Sequence, residues 1–301
     1  MKELPEDALK KYQRAGKIAH DVRESMKKIV HEGMRIIDIC EKTESMIKEK
    51  GGRPAFPCNV SVNEIAAHYT SPPKDKRTIP ERSLVKVDLG VHIDGYIADT
   101  AVTVCLNPEL ENLVSTAEAA LEKAVEALRP WLFTSRFGSA VEKTIKSRGF
   151  KPISNLTGHL ISRYSVHAGK SLPNVFHIST SRTSLGEIYG VEPFVTLADG
   201  AGKIRSSSDA YIYRLLRHKS QKDVYAKQLA DYIEKNFGSL PFAERWLKGC
   251  VPHDRFDAAF SQLLLSKRFM AYPVFVEANG KPVAQAEHTV LIVKDGCLVL
   301  T

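Results

Sequence analysis

A chain of 301 residues with 43% apolar content has enough material to bury one large domain or two ordinary ones. No apolar run approaches the ~20 residues that span a bilayer, and the charged opening MKELPEDALKKYQRAGK lacks the apolar core of a secretory signal. The expectation is therefore a cytoplasmic chain with no membrane span. A net charge of +8 favours transient contact with an acidic surface such as a ribosome, yet no run of five or six like charges occurs. A generally basic, solvated surface is the plainer reading, with no specific DNA-binding element.

From Pro5 to about Val30, Leu9, Tyr12, Ala15, Ile18, Ala19, Val22 and Met26 recur at helical spacing, with Pro5 suited to a helix start. A second helix is expected from about Met34 to Lys50, ending at Gly51-Gly52, and AFPCNVSV reads as a strand. SLVKVDLGVHIDGYIADTAVTVC then holds two β-rich runs around Asp94-Gly95, the strongest hairpin signal in the chain. Helices over Glu109 to Leu128 and Phe137 to Ser147 are followed by extended sequence from Phe150, so the helix, helix, strand order recurs in two halves. From Arg214 to about Arg268 the texture changes: helical patterns near Lys222 to Asn236, Phe242 to Lys248 and Arg255 to Lys267 predict a helical insertion, 214–268, in a main domain made of 1–213 and 269–301. Val274 to Ala278 and Pro282 to Val293 flank Asn279-Gly280, a second hairpin signal. The five cysteines, Cys40, Cys58, Cys105, Cys250 and Cys297, are widely spaced with no Cys-x-x-Cys. They predict reduced, mostly buried thiols rather than a disulfide framework or zinc ribbon.

A two-residue turn at Asp94-Gly95 sets Asp88 opposite Ala101, with Asp99 two residues along on the same face. The two carboxylates are then diagonal neighbours, roughly 7 to 8 Å apart at the backbone. Ionised carboxylates among aliphatic strand residues repel and are costly to bury, so a cation should join them. Lys86 is the nearby candidate for a purely structural ion pair, and a divalent metal is the alternative. NLTGHLI with His159, YGVEPFV with Glu192 and VAQAEHTVLIV with Glu287 add polar groups inside apolar runs. In the last of these, alternation puts Gln285, Glu287 and Thr289 on one face and His288 on the other, so Glu287 and His288 cannot both line one site without a bulge. Four carboxylates and one imidazole suit a pair of divalent ions held mainly by oxygen. Gly200-Ala201-Gly202 lacks the lysine and Ser/Thr of a phosphate-binding loop and reads as a plain turn.

The segments FPCNVSVNEIAAHYT, VKVDLGVHIDGYIADTAVT, NLTGHLISRYSVHAG, YGVEPFVT and AQAEHTVLI resemble, in order and over nearly the whole chain, the successive motifs of the methionine aminopeptidases. The helical insertion resembles the type 2, archaeal-like branch. The resemblance implies the α/β pita-bread fold, a curved antiparallel sheet with outer helices, with the insertion as a winged-helix-like unit. It implies that Asp88 chelates one metal, Asp99 and Glu287 bridge both, and His159 and Glu192 complete the second site. The two divalent ions could be Co, Mn, Fe or Zn. His68 of NEIAAHYT and His167 of YSVHAG resemble the two substrate-side histidines, and Phe56 of FPCN resembles a wall of the methionine pocket. The implied reaction removes the initiator methionine of nascent proteins: a hydroxide bridging the metals attacks the first peptide carbonyl, with Glu192 as proton shuttle, His167 on the developing oxyanion and His68 on the peptide beyond the cleaved bond. Prolidases and aminopeptidase P resemble the same ligand set, so Xaa-Pro cleavage is one alternative. A non-catalytic binding protein is the other, motivated by Arg214, Arg217, Lys219, Lys222 and Lys227 in the insertion.

Overall fold

The computed structural model describes residues 4–216, 223–266 and 268–301. Arg217, Lys219 and Lys222, named above for a basic surface, lie outside the described residues. Helix α1 (Glu6–Ile29) buries Ala8, Tyr12, Ala15, Ile18, Ala19, Val22 and Met26, the stripe that the 3.6-residue period predicts. Helix α2 (Ile36–Glu49) buries Ile36, Ile39, Cys40 and Ile47. Both lie on strands β1 (Arg53–Val62), β3 (Leu84–Ile93) and β4 (Tyr96–Cys105), which are buried along nearly their whole length; the short β2 (Ile65–Ala67) follows β1. A one-turn 3-10 segment leads into α3 (Glu111–Ala127), and α4 (Thr134–Ser147) follows. This second helix pair covers β5 (Lys151–Pro152), β6 (Thr157–Ile161), β7 (Ser171–Pro173), β8 (Ile188–Val191) and β9 (Phe194–Thr196), together with the late strands β13 (Val283–Gln285), β14 (His288–Val293) and β15 (Gly296–Val299). Every strand pairing is antiparallel, and an isolated bridge between Ala101 and Glu287 joins the two halves at the centre. The result is a curled antiparallel sheet with helices outside.

The long β10 (Ile204–Leu215) and β12 (Phe269–Glu277) pair with each other, from Ile204 opposite Glu277 to Leu215 opposite Phe269. Between their far ends stand α5 (Val224–Phe237), the two-residue β11 (Phe242–Ala243), a 3-10 turn (Glu244–Leu247) and α6 (His253–Leu265). They gather around their own apolar cluster of Leu229, Ile233, Phe242, Phe260 and Leu263, with Tyr213 and Phe269 from the two long strands.

Three expectations need correction. The helix predicted over Phe242 to Lys248 is a strand stub followed by a 3-10 turn, because Phe242 is drawn into a backbone pairing with Tyr213 and buried against β10. The Asn279-Gly280 turn is not a hairpin: β12 pairs with β10 and β2, whereas β13 pairs with β9. The turn is organised instead by the buried Glu277 carboxylate, which accepts the amides of Asn279 (2.8 Å) and Lys281 (3.1 Å). The same carboxylate takes the amides of Ala201 (2.5 Å) and Gly202 (3.2 Å), so the glycine-rich turn serves an internal acid. All five cysteines are free thiols, but only Cys40 and Cys58 are buried.

Candidate metal centre and its cleft

The turn Asp94-Gly95 has positive φ at both residues (51° and 87°), as a two-residue hairpin turn requires. It sets Asp88 opposite Ala101 and Gly90 opposite Asp99, so the two aspartates share one face of the ribbon. Three further segments come to this face. His159 sits in β6 opposite Gly190 of β8, Glu192 follows the end of β8 at the break made by Pro193, and Glu287 lies in the gap between β13 and β14. The Glu287 amide donates to the Ala101 carbonyl (3.1 Å), which fixes its height against Asp99.

His159 Nε2 lies 3.6 Å from Asp99 Oδ2 and 3.4 Å from Glu192 Oε1. Asp99, His159 and Glu287 offer ligand atoms that all fall within 4.8 Å of one another. Together with Asp88 and Glu192 they line one cavity of ≈ 200 Å³. His288 points the other way, toward Arg23 (3.1 Å) and Thr301 (3.0 Å), in keeping with strand alternation. Lys86 is fully buried and donates to the carbonyls of Asn63 (3.1 Å) and Val283 (2.8 Å), so it is no partner for the aspartates. Among the described residues no lysine or arginine reaches these four carboxylates at ion-pair distance.

Burial raises the proton affinity of all four acids. Asp88 is pushed up to about 7, with Gln285 and Asn59 pulling back. For Asp99 the Asp88 charge adds to burial, for Glu192 both aspartates add, and for Glu287 all three other acids add while Arg23 opposes them. Asp88 Oδ1, Asp99 Oδ1 and Glu287 Oε1 are buried without a hydrogen-bond partner. Orphaned carboxylate oxygens are costly to bury, and an oxygen-rich set with one imidazole fits divalent cations.

Gly190 forms the floor of the cluster, a role the sequence reading missed. A Cβ there would stand 3.0 Å from His159 Cε1 and 3.1 Å from Glu287 Oε1, so any side chain would crowd the cluster. Gln285 Nε2 reaches Glu287 Oε2 (3.3 Å) and Glu192 Oε2 (3.4 Å); its face was legible from alternation, its partners were not.

His167 stands beside the cluster with its ring 4.3 Å from that of His159, and its pKa is lowered by the surrounding protein and then by Arg214. His68 lies across the cavity, its ring 4.4 Å from Phe275 and 5.4 Å from Tyr272, and burial lowers its pKa to about 4. Both imidazoles are therefore neutral near pH 7. Phe56, Phe194, Ile212, Pro241, Tyr272 and Phe275 make the apolar lining. The last four come from β10, β12 and the insertion, whose approach to Asp88 no local pattern announces.

Residues 10–214 match metallopeptidase family M24. The methionine aminopeptidase of Methanothermobacter thermautotrophicus is 41% identical over 296 residues, which is 97% of this chain and 98% of that one. Among solved structures, the methionine aminopeptidase of Thermotoga maritima aligns with TM-score 0.72 at 21% identity, covering 100% of this chain and 99% of that one. A thermophilic Arx1 aligns with TM-score 0.84 at 20% identity, covering 99% of this chain and 91% of the other. Both share the curled-sheet fold.

Proposed function

Because the chain belongs to metallopeptidase family M24 and, within it, to the methionine aminopeptidases, we propose that the cleft binds two divalent cations through Asp88, Asp99, His159, Glu192 and Glu287. The activity is metal-dependent removal of an N-terminal methionine. The substrate class we assign is the initiator methionine of nascent proteins in the cytoplasm, with transient ribosome contact through the basic surface. No described helix is long and apolar enough to cross a membrane.

The observation that carries the metal reading is the set of buried, unpartnered carboxylate oxygens around one imidazole, which among the described residues no lysine or arginine meets at ion-pair distance. In our assignment Asp88 would hold one cation, Asp99 and Glu287 would be shared by both, and His159 with Glu192 would hold the second. Divalent cations bound there would supply Lewis acidity toward a peptide carbonyl and make water acidic enough to react near neutral pH. Cobalt, manganese, iron and zinc all suit this donor set.

The chain's own groups divide the remaining work. Glu192, whose proton affinity is raised, takes a proton from water and returns it to the leaving amine. His167 donates a hydrogen bond to the scissile carbonyl as charge develops on its oxygen. His68, against Tyr272 and Phe275, contacts the peptide just beyond the cleaved bond. The methionine side chain fills the apolar lining that includes Phe56.

A Met-Ala-Ser peptide and a Xaa-Pro peptide, incubated side by side with metal-loaded protein, test this reading. Free methionine should appear from the first, and chelator should stop its release. Cleavage of the Xaa-Pro peptide alone would reassign the substrate.

A further inference from the structure

Arg245, in the 3-10 turn of the insertion, reaches out of its own subdomain into the catalytic half, and its side chain is only 5% exposed. Its Nη1 donates to Thr70 Oγ1 (2.8 Å) and to the Ser71 carbonyl (3.1 Å). Its Nη2 pairs with Glu44 of α2. Trp246, the next residue, donates from Nε1 to the other Glu44 oxygen (2.7 Å), and the Cys58 amide of β1 donates to the first (3.1 Å). An arginine cannot accept a hydrogen bond, so the Thr70 hydroxyl accepts from Arg245 and donates its own hydrogen to the Cys58 carbonyl (2.7 Å), with the Cys40 thiol 3.8 Å away.

Thr70 and Ser71 are the second and third residues after His68. His68 has φ 64°, a conformation that a residue bearing a Cβ holds only under constraint from its surroundings. Its ring is held by β12, through Tyr272, Phe275 and the Pro273 carbonyl 3.2 Å from Nδ1. The backbone that follows it is held by the Val60 amide on the Tyr69 carbonyl (2.8 Å) and by Arg245 on the Ser71 carbonyl, while the same Arg245 nitrogen holds the Thr70 hydroxyl between them.

We infer that Arg245 is a positioning residue for His68: the insertion, through a buried guanidinium pinned to Glu44, sets where the substrate-side histidine stands over the cleft. This rests on the proposed role of His68 at the peptide beyond the cleaved bond. Arg245 touches none of the five proposed metal-binding residues, so its influence should fall on peptide binding and not on metal uptake.

Removing Arg245 alone strands the buried Glu44 carboxylate and risks unfolding the chain. The test therefore uses the double variant Glu44→Gln with Arg245→Met, which leaves no buried charge, and separately Thr70→Val. In zinc-loaded full-length protein both should keep the zinc stoichiometry of the parent. KM for a Met-Ala-Ser-Ala tetrapeptide should rise about tenfold, with turnover of methioninamide, which has no residue beyond the cleaved bond, changed less than about twofold, and the His68 ring resonances should shift in NMR spectra. Unchanged KM and unchanged His68 resonances, with only a lower Tm, would overturn the inference and leave the clamp as mere attachment. His68→Ala is measured alongside. If it leaves tetrapeptide KM unchanged while the double variant still moves the His68 resonances, the positioning stands and the substrate role of His68 falls.

Discussion

His167 and Glu192 both flank His159, yet the chemistry assigned to them differs in kind. His167 is outside the proposed metal-binding set, whereas Glu192 Oε1 stands 3.4 Å from His159 Nε2 within it. His167→Ala should lower kcat on the order of a hundredfold, the usual scale for loss of one oxyanion donor, with metal content intact. Glu192→Gln should lower kcat and also weaken one metal, since a single carboxylate is proposed for both jobs. Measured side by side, a His167→Ala protein that loses metal would refute the assignment, as would a Glu192→Gln protein that turns over normally. The raised proton affinities of the acids make a second prediction at this scale. An acid whose folded pKa lies above its unfolded value, about 4 for an aspartate, contributes stability that is fully present below the unfolded value. That stability is lost as pH rises through the folded value, about 7 for Asp88. Metal-free protein should therefore lose stability as pH climbs from about 4 to about 7, while metal-loaded protein should not. Metal uptake near pH 6 should release protons. Titration calorimetry in buffers of different ionisation enthalpy reads that release directly, and a binding heat independent of buffer would contradict it.

At the scale of elements, legibility followed the range of the interaction. The aspartate pair could be read from the chain because an Asp-Gly turn and a two-residue side-chain period determine register within one hairpin. The buried stripe of α1 and the opposed faces of Glu287 and His288 follow from periodicity in the same way. Asn279-Gly280 shows where such reasoning stops: the dipeptide does turn the chain around the Glu277 carboxylate, but its flanking strands find partners in β10, β2 and β9, which no pattern around the turn announces. Phe242 failed as a helical residue because burial against β10 overrode local propensity. The convergence of His159, Glu192 and Glu287 on the hairpin was reached only through the likeness of motifs to a known family, since nothing in their spacing brings three separate strands together. Gly190 carried no signal at all, because the need for a missing side chain appears only when His159 and Glu287 are in place above it.

For the molecule as a whole, the open matter is how far 214–268 is a separable part. None of the five proposed metal-binding residues lies within it, and Leu215 faces Phe269 across the pair β10 and β12, so a short turn can close the strands once the insertion is removed. Against separability stands Glu44, which would keep its Cys58 amide but lose Arg245 and Trp246. Breaking a buried pair on one side costs about 3 to 5 kcal/mol, much of it from the charge left behind. Replacing 216–268 by a two-residue turn should therefore give a poorly stable protein, and the same deletion with Glu44→Gln should recover part of that loss because no buried charge remains. The recovered protein should bind metal with the stoichiometry of the parent, since the hairpin, β6, β8 and the Ala101–Glu287 bridge are untouched. Its KM for peptides should be high, because Pro241 is gone and the His68 turn has lost Arg245. Thermal melts and metal analysis of the two deletions decide the matter: a Glu44→Gln deletion that folds yet takes up no metal would show the insertion to be integral to the centre, and one no more stable than the simple deletion would show that Glu44 is not the source of the loss.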